Sequence, residues 1–144
     1  MKKSALAYVL PIMLLAGCGS NVYDLPSDSC AFDQFVFNNP AESGDTYMAF
    51  EYGGRVYVPY GTLANKLGKK DIDKCLGYMN NEYDLEDKNS RILSLKENPG
   101  KEYLVECYID GFMDQPLFYR AVDTMGMDIS TPDYIEDLEY SFWK

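Results

Sequence analysis

The chain has 144 residues, with 13 Lys+Arg against 23 Asp+Glu and no histidine. That length suits one domain, at roughly 100–200 residues per domain, and a net charge of −10 argues against nucleic acid, whose binding needs clustered Lys/Arg to displace counterions. Without imidazole there is no Ser-His-Asp or Cys-His nucleophile pair, no H-E-x-x-H zinc helix and no histidine acid or base, so chemistry would fall to carboxylates, tyrosines or lysines.

Lys2 and Lys3 precede an apolar run from Ser4 to Leu15, and the small residues Ala16-Gly17 lead into Cys18. This is the plan of a secretory signal peptide, too short for a stable membrane-spanning helix and interrupted by Pro11. Leu15-Ala16-Gly17-Cys18 resembles the lipobox of bacterial lipoproteins. That resemblance implies cleavage before Cys18, with the diacylated Cys18 as the new N-terminus and its lipid as the attachment to the membrane. Two acyl chains suit stable anchoring, since a single chain binds only marginally. Residues 1–17 are then the signal peptide, 18–29 the lipidated cysteine with its tether, and 30–144 one globular domain. Loss of Lys2 and Lys3 takes the net charge from −10 to −12, which repels anionic headgroups and leaves the lipid to hold the protein unaided by a basic patch. Gly19-Ser20-Asn21 and the mixed residues to about Pro26 read as a short flexible tether.

The clearest element in the domain is a hairpin. Tyr47 to Tyr52 and Arg55 to Val58 flank Gly53-Gly54, a two-residue turn between aromatic and β-branched runs. Pro59 then ends the second strand or marks its edge. A short helical stretch is expected around Leu63 to Leu67, closing on Gly68, and a strand over Cys75 to Met79. Arg91 to Leu95 and Tyr103 to Ile109 form a second hairpin across Glu97-Asn98-Pro99-Gly100-Lys101. After the Asp110-Gly111 turn, Leu117 to Val122 reads as a further strand. Thr131-Pro132 is a cap followed by a first-turn proline, and Ile135, Leu138 and Phe142 fall at helical spacing, so a C-terminal helix is expected. The predicted fold class is α+β, mostly antiparallel β, with five to six strands in hairpins and one or two short helices. The 13 Tyr, 7 Phe and 1 Trp supply a compact aromatic core.

Three cysteines remain beyond Cys18: Cys30, Cys75 and Cys107. Export permits one disulfide at most among three. The candidate pair is Cys75 with Cys107, on neighbouring strands; the alternative for Cys107, which shares an alternating face with Val105 and Ile109, is a small buried thiol. Four ligands for structural zinc are lacking, and no C-x-x-C occurs. The acidic run 80–89 offers oxygen ligands of the kind calcium takes. It departs from the EF-hand template, with Lys88 where a ligand is needed and no central glycine, and reads as a solvated loop. Nothing singles out a carboxylate pair for glycoside hydrolysis. Tyr47, Tyr52, Tyr57, Tyr60 and Tyr103 could make a binding face, but strands also favour tyrosine for packing. No catalytic residue, cofactor or metal site is assigned.

Two further resemblances lie in the domain. Gly54-Arg55-Val56-Tyr57-Val58-Pro59, with Leu63 and Leu67-Gly68, is similar to a segment of copper-amine-oxidase N-terminal-like modules on clostridial surface proteins, without the histidines that copper would need. The domain as a whole, above all residues 57–63 and 112–121, resembles a group of small uncharacterised lipoproteins of gut clostridia. That resemblance implies a Gram-positive host and the outer face of its cell membrane, and it supplies no activity. The expected role is a non-catalytic binding or interaction module for a protein or small ligand. The alternative is an immunity- or inhibitor-type lipoprotein that neutralises a basic exported toxin or enzyme, where charge complementarity would speed encounter. A carboxylate-based hydrolase is the third reading.

Overall fold

A computed structural model describes residues 21–109 and 115–144. Nine strands form one curled, mixed sheet: β1 (Cys30–Phe32), β2 (Phe35–Asn38), β3 (Thr46–Tyr52), β4 (Arg55–Leu63), β5 (Ile72–Met79), β6 (Ser90–Leu95), β7 (Tyr103–Tyr108), β8 (Leu117–Ala121) and β9 (Ile135–Asp137). Their order is β1-β5-β6-β7-β8-β4-β3-β2, with β9 added beside β4. The β1–β5 pair is parallel and the remaining pairs are antiparallel.

The curl follows from where the aromatic residues fall. Phe32 of β1 packs against Phe50 and Tyr52 of β3, with ring centroids 5.4 and 5.9 Å apart, although five strands separate β1 from β3 in the sheet order. The concave face therefore closes on itself as a half-barrel filled by Phe32, Phe50, Tyr57, Leu76, Ile92, Leu104 and Tyr119. Side chains alternate across a strand, so the residues between these point outward: Cys75, Leu93, Val105 and Phe118 line the convex face. That face is covered by segments outside the sheet, including Val22, Tyr23, Leu25, Leu67, Ile129 and Trp143. A third apolar group, Tyr47, Ala49, Val58 and Phe142, seals the C-terminal 3-10 turn (Ser141–Trp143) against β3 and β4.

Four expectations are corrected. The fold is β rather than α+β: the helical elements among the described residues are three 3-10 turns of three residues each. The helix expected at 63–67 is absent because Leu63 completes β4, pairing with Ile135; Gly68 then opens the 3-10 turn Lys69–Asp71, its amide donating to Asp71 Oδ2 at 2.8 Å. The C-terminal helix is absent because β4 offers Ile135, Glu136 and Asp137 an antiparallel ladder, and a helix this short cannot repay its nucleation. The strand count among the described residues is nine, because β1, β2 and β9, three or four residues long, owe their conformation to their partners.

Two boundaries also move. Pro59 lies inside β4, at the register shift between Pro59 and Gly61; β3 pairing has stopped at Tyr57 and β9 pairing begins at Gly61, so on the edge away from β8, where the Pro59 carbonyl accepts the Trp143 indole N–H, no strand asks Pro59 for the N–H it lacks. The segment expected as tether and placed outside the domain up to residue 29 is packed from Asn21 onward: Val22, Tyr23 and Leu25 rest on the convex face, and Arg91 donates to the Tyr23 carbonyl.

Candidate functional site

At the end of the half-barrel where β5 and β7 finish and β6 begins, the concave face opens into a cleft of about 470 Å³. Its floor is a small polar network. Leu104 and Glu106 share the inward side of β7, and Glu106 is the charged exception on an otherwise apolar face. One carboxylate oxygen of Glu106 accepts the Ser90 hydroxyl and the other accepts the Tyr119 hydroxyl at 3.1 Å. Burial, reinforced by Glu106 alongside, pushes the Tyr119 phenol far above its ordinary range, so it stays a protonated donor. A carboxylate has about four acceptor positions, and two remain for a ligand donor.

The walls come from three places. Asp33 and Gln34 enter from the β1–β2 link, Met48 from β3, and Asn81, Glu82, Tyr83, Leu85 and Asp87 from the β5–β6 loop. Met48 is 46% exposed, and Tyr83 and Leu85 are 91% and 76% exposed, which makes an apolar rim around an acidic interior. Asp33, Glu82, Asp87 and Glu106 line the cleft, and no Lys or Arg does. One sign of charge in a concave, low-dielectric surround concentrates cations.

The acidic run expected as a solvated loop is the β5–β6 loop. Its side chains serve its own backbone: Asn81 Oδ1 accepts the Tyr83 amide at 3.0 Å, Asp84 Oδ1 the Glu86 amide at 3.1 Å and Asp87 Oδ1 the Asn89 amide at 3.0 Å. The Asn89 amide and then the Asn81 side chain hold the Asp87 carboxyl below the usual carboxylate range. No group of three His, Cys, Asp or Glu suited to a metal ion occurs among the described residues.

Cys18 and its lipobox lie outside the described residues. The Cys75–Cys107 disulfide is corrected. β6 lies between β5 and β7, which puts the two cysteines roughly 10 Å apart or more, beyond the ~7 Å Cα limit for a bridge. All three described thiols are free: Cys75 buried, Cys107 half-buried, Cys30 exposed. Burial, then Glu106 next to it, pushes the Cys107 thiol up to about 12.

The five tyrosines do not share one face. Tyr57 is buried within the half-barrel, stacked on Phe50 at 5.4 Å, and half-buried Tyr52 packs against Phe32 of the same cluster. Tyr60 and Tyr103 are on the convex side beneath Arg120, and Tyr47 packs with Phe142. The residues sequence reasoning passed over, Glu106, Ser90 and Tyr119, carried one legible signal: a glutamate at an inward position of an alternating strand. Comparison with family models, curated proteins and solved structures finds no match to this chain.

Proposed function

We propose that the protein is a non-catalytic binding module, lipid-anchored through Cys18 to the extracytoplasmic face of a Gram-positive cell membrane, with the mouth of the half-barrel as its binding surface. The observation that carries this reading is the cleft itself, with a hydrogen-bonded carboxylate at its floor and exposed apolar side chains at its rim. A few placed polar groups within an apolar surround fix a ligand's orientation. The test is partner capture from the cell envelope with wild type and with Tyr83→Ala/Leu85→Ala and Glu106→Gln. Capture is expected to fall in both variants while the unfolding midpoint of the rim variant is unchanged; equal capture by all three proteins would reject the mouth.

The second reading, an immunity- or inhibitor-type lipoprotein acting on a basic exported protein, draws support from the absence of Lys and Arg in the cleft lining. Its mark is salt dependence, because exposed charge pairs are screened beyond about 8 Å at physiological ionic strength. A single basic partner released by raised salt supports it. A partner retained at high salt counts against it and leaves the first reading standing.

A further inference from the structure

We propose that the end of the half-barrel opposite the mouth faces the bilayer, with the lysines around the Lys69–Asp71 turn against anionic phospholipid headgroups; this deepens the lipid-anchor reading and rests on it. The basic residues are unevenly placed. Lys66, Lys69, Lys70, Lys74 and Lys96 are all exposed, and they are five of the 11 Lys and Arg that follow Cys18. Lys69 and Lys70 are in the turn, Lys74 follows on β5, and the Lys96 amide donates to the Asp71 carbonyl at 2.9 Å, which ties the end of β6 to the same place. Among the described residues, the ion pair within 4.0 Å is Arg55–Asp123, so these lysines are unpaired there.

The acids at this end include Asp24, Asp28, Asp71, Asp73 and Glu97, with exposed Asp133 next to Tyr134, whose carbonyl accepts the Ala64 amide. Three of them are engaged internally, Asp24 with the Asn21 amide at 3.3 Å, Asp71 with the Gly68 amide at 2.8 Å and Asp73 with the Ser94 hydroxyl at 3.2 Å. Charge here is close to balanced, whereas the mouth carries four carboxylates and no base. The two regions are at opposite ends of β5, which starts beside the lysine turn and reaches the mouth at Met79. From Asp73 to Met79 the strand advances roughly 20 Å at about 3.3 Å per residue. An anionic surface therefore repels the mouth far more than the end where its headgroups can meet unpaired lysines, and the difference acts within a Debye length.

The chain itself limits the distance. Asn21, the first described residue, lines a groove with Asp73 and Lys74, and packing of Val22, Tyr23 and Leu25 holds it there. Three peptide steps join Asn21 to Cys18, a reach of no more than about 11 Å. A domain on so short a lead stays within range of headgroup charge.

The experiment uses the lipidated protein in phosphatidylcholine vesicles containing photoreactive phosphatidylglycerol, with adducts located by peptide mass mapping. Adducts are expected on residues 66–74 and at Lys96 and not on 82–85, and the paired Lys69→Glu, Lys70→Glu change is expected to cut them at least about fivefold. Adducts spread over both ends, adducts concentrated on 82–85, none at either end, or an unchanged yield in the double variant would each overturn the orientation. The same protein with Cys30→Ser, coupled at residue 18 to a maleimide lipid, reports orientation whether or not cells acylate Cys18. Failure of the anchor and failure of the orientation are thus read separately.

Discussion

Arg120 shows how single side chains tie the irregular segments to the sheet. Its guanidinium is 4.9 Å from the Trp143 ring centroid, 5.5 Å from Tyr60 and 6.0 Å from Tyr103. It also donates to the Thr124 hydroxyl and carbonyl, both at 2.8 Å, and to the Met127 carbonyl at 3.2 Å. Charged hydrogen bonds and cation–π contacts together make Arg120→Ala costly by about 2–3 kcal/mol, measured by chemical denaturation. Arg120→Lys should recover less than half of that loss, because an ammonium cannot present the planar fork. Arg55 plays the same part elsewhere, pairing with Asp123 at 2.8 Å while donating to the Gly100 carbonyl. The Arg55 hydrogen bond holds the Asp123 carboxyl below its ordinary 3.8. A depressed folded-state value gives stability that is full above about 4 and lost as pH falls through that lower value. Asp123→Asn should therefore flatten the acid limb of the stability curve below pH ~4; an unaltered limb would show that the pair contributes nothing. Thiol reactivity follows burial in the same way. Cys30 is expected to react with a thiol reagent in the native protein, and Cys75 and Cys107 only after unfolding.

Among elements, the short strands depend on backbone approach that only glycine permits. A Cβ on Gly77 would lie 1.9 Å from the Cys30 carbonyl oxygen, and one on Gly61 would lie 2.4 Å from that of Glu136. Gly77→Ala is expected to displace β1 and Gly61→Ala to displace β9, each at about 1–3 kcal/mol. Amide exchange at 30–32 and at 135–137 respectively should accelerate, and uniform protection in both variants would reject the assignment. The hairpins β3–β4 and β6–β7 were legible because their turns are local: Gly53 and Gly54 both have positive φ, at 61° and 78°, as a type I′ turn needs. The strands β1, β2 and β9 were not legible. A three-residue segment has no period to read, and Ile135-Glu136-Asp137 alternates no more clearly as strand than as helix. Its backbone hydrogen bonds decided the matter.

For the molecule as a whole, the proposed anchor makes the simplest prediction. Cys18→Ala should move the protein from the membrane fraction to the medium or the soluble envelope fraction, and unchanged retention would overturn the lipoprotein reading. On the proposed cleavage, loss of Lys2 and Lys3 takes the net charge to −12. Folding separates the charge into an acidic mouth and an end where lysines nearly balance the acids. Curling of the sheet is what makes the mouth: it brings Asp33, Met48, Ser90 and Glu106 around one cleft, though they span more than seventy residues of sequence.

The sequence by itself determined the leader and its address motif as an expectation, the local hairpins, the exclusion of histidine chemistry and the sign of the charge. Each of these depends on neighbours in the chain or on composition, which no packing can alter. Only the tertiary structure decided the number of strands, the fate of the C-terminal segment, the separation of Cys75 from Cys107 by β6, and the inward placing of Glu106 between Ser90 and Tyr119. These depend on which distant strand satisfies which backbone, and on a curl that a linear pattern does not encode.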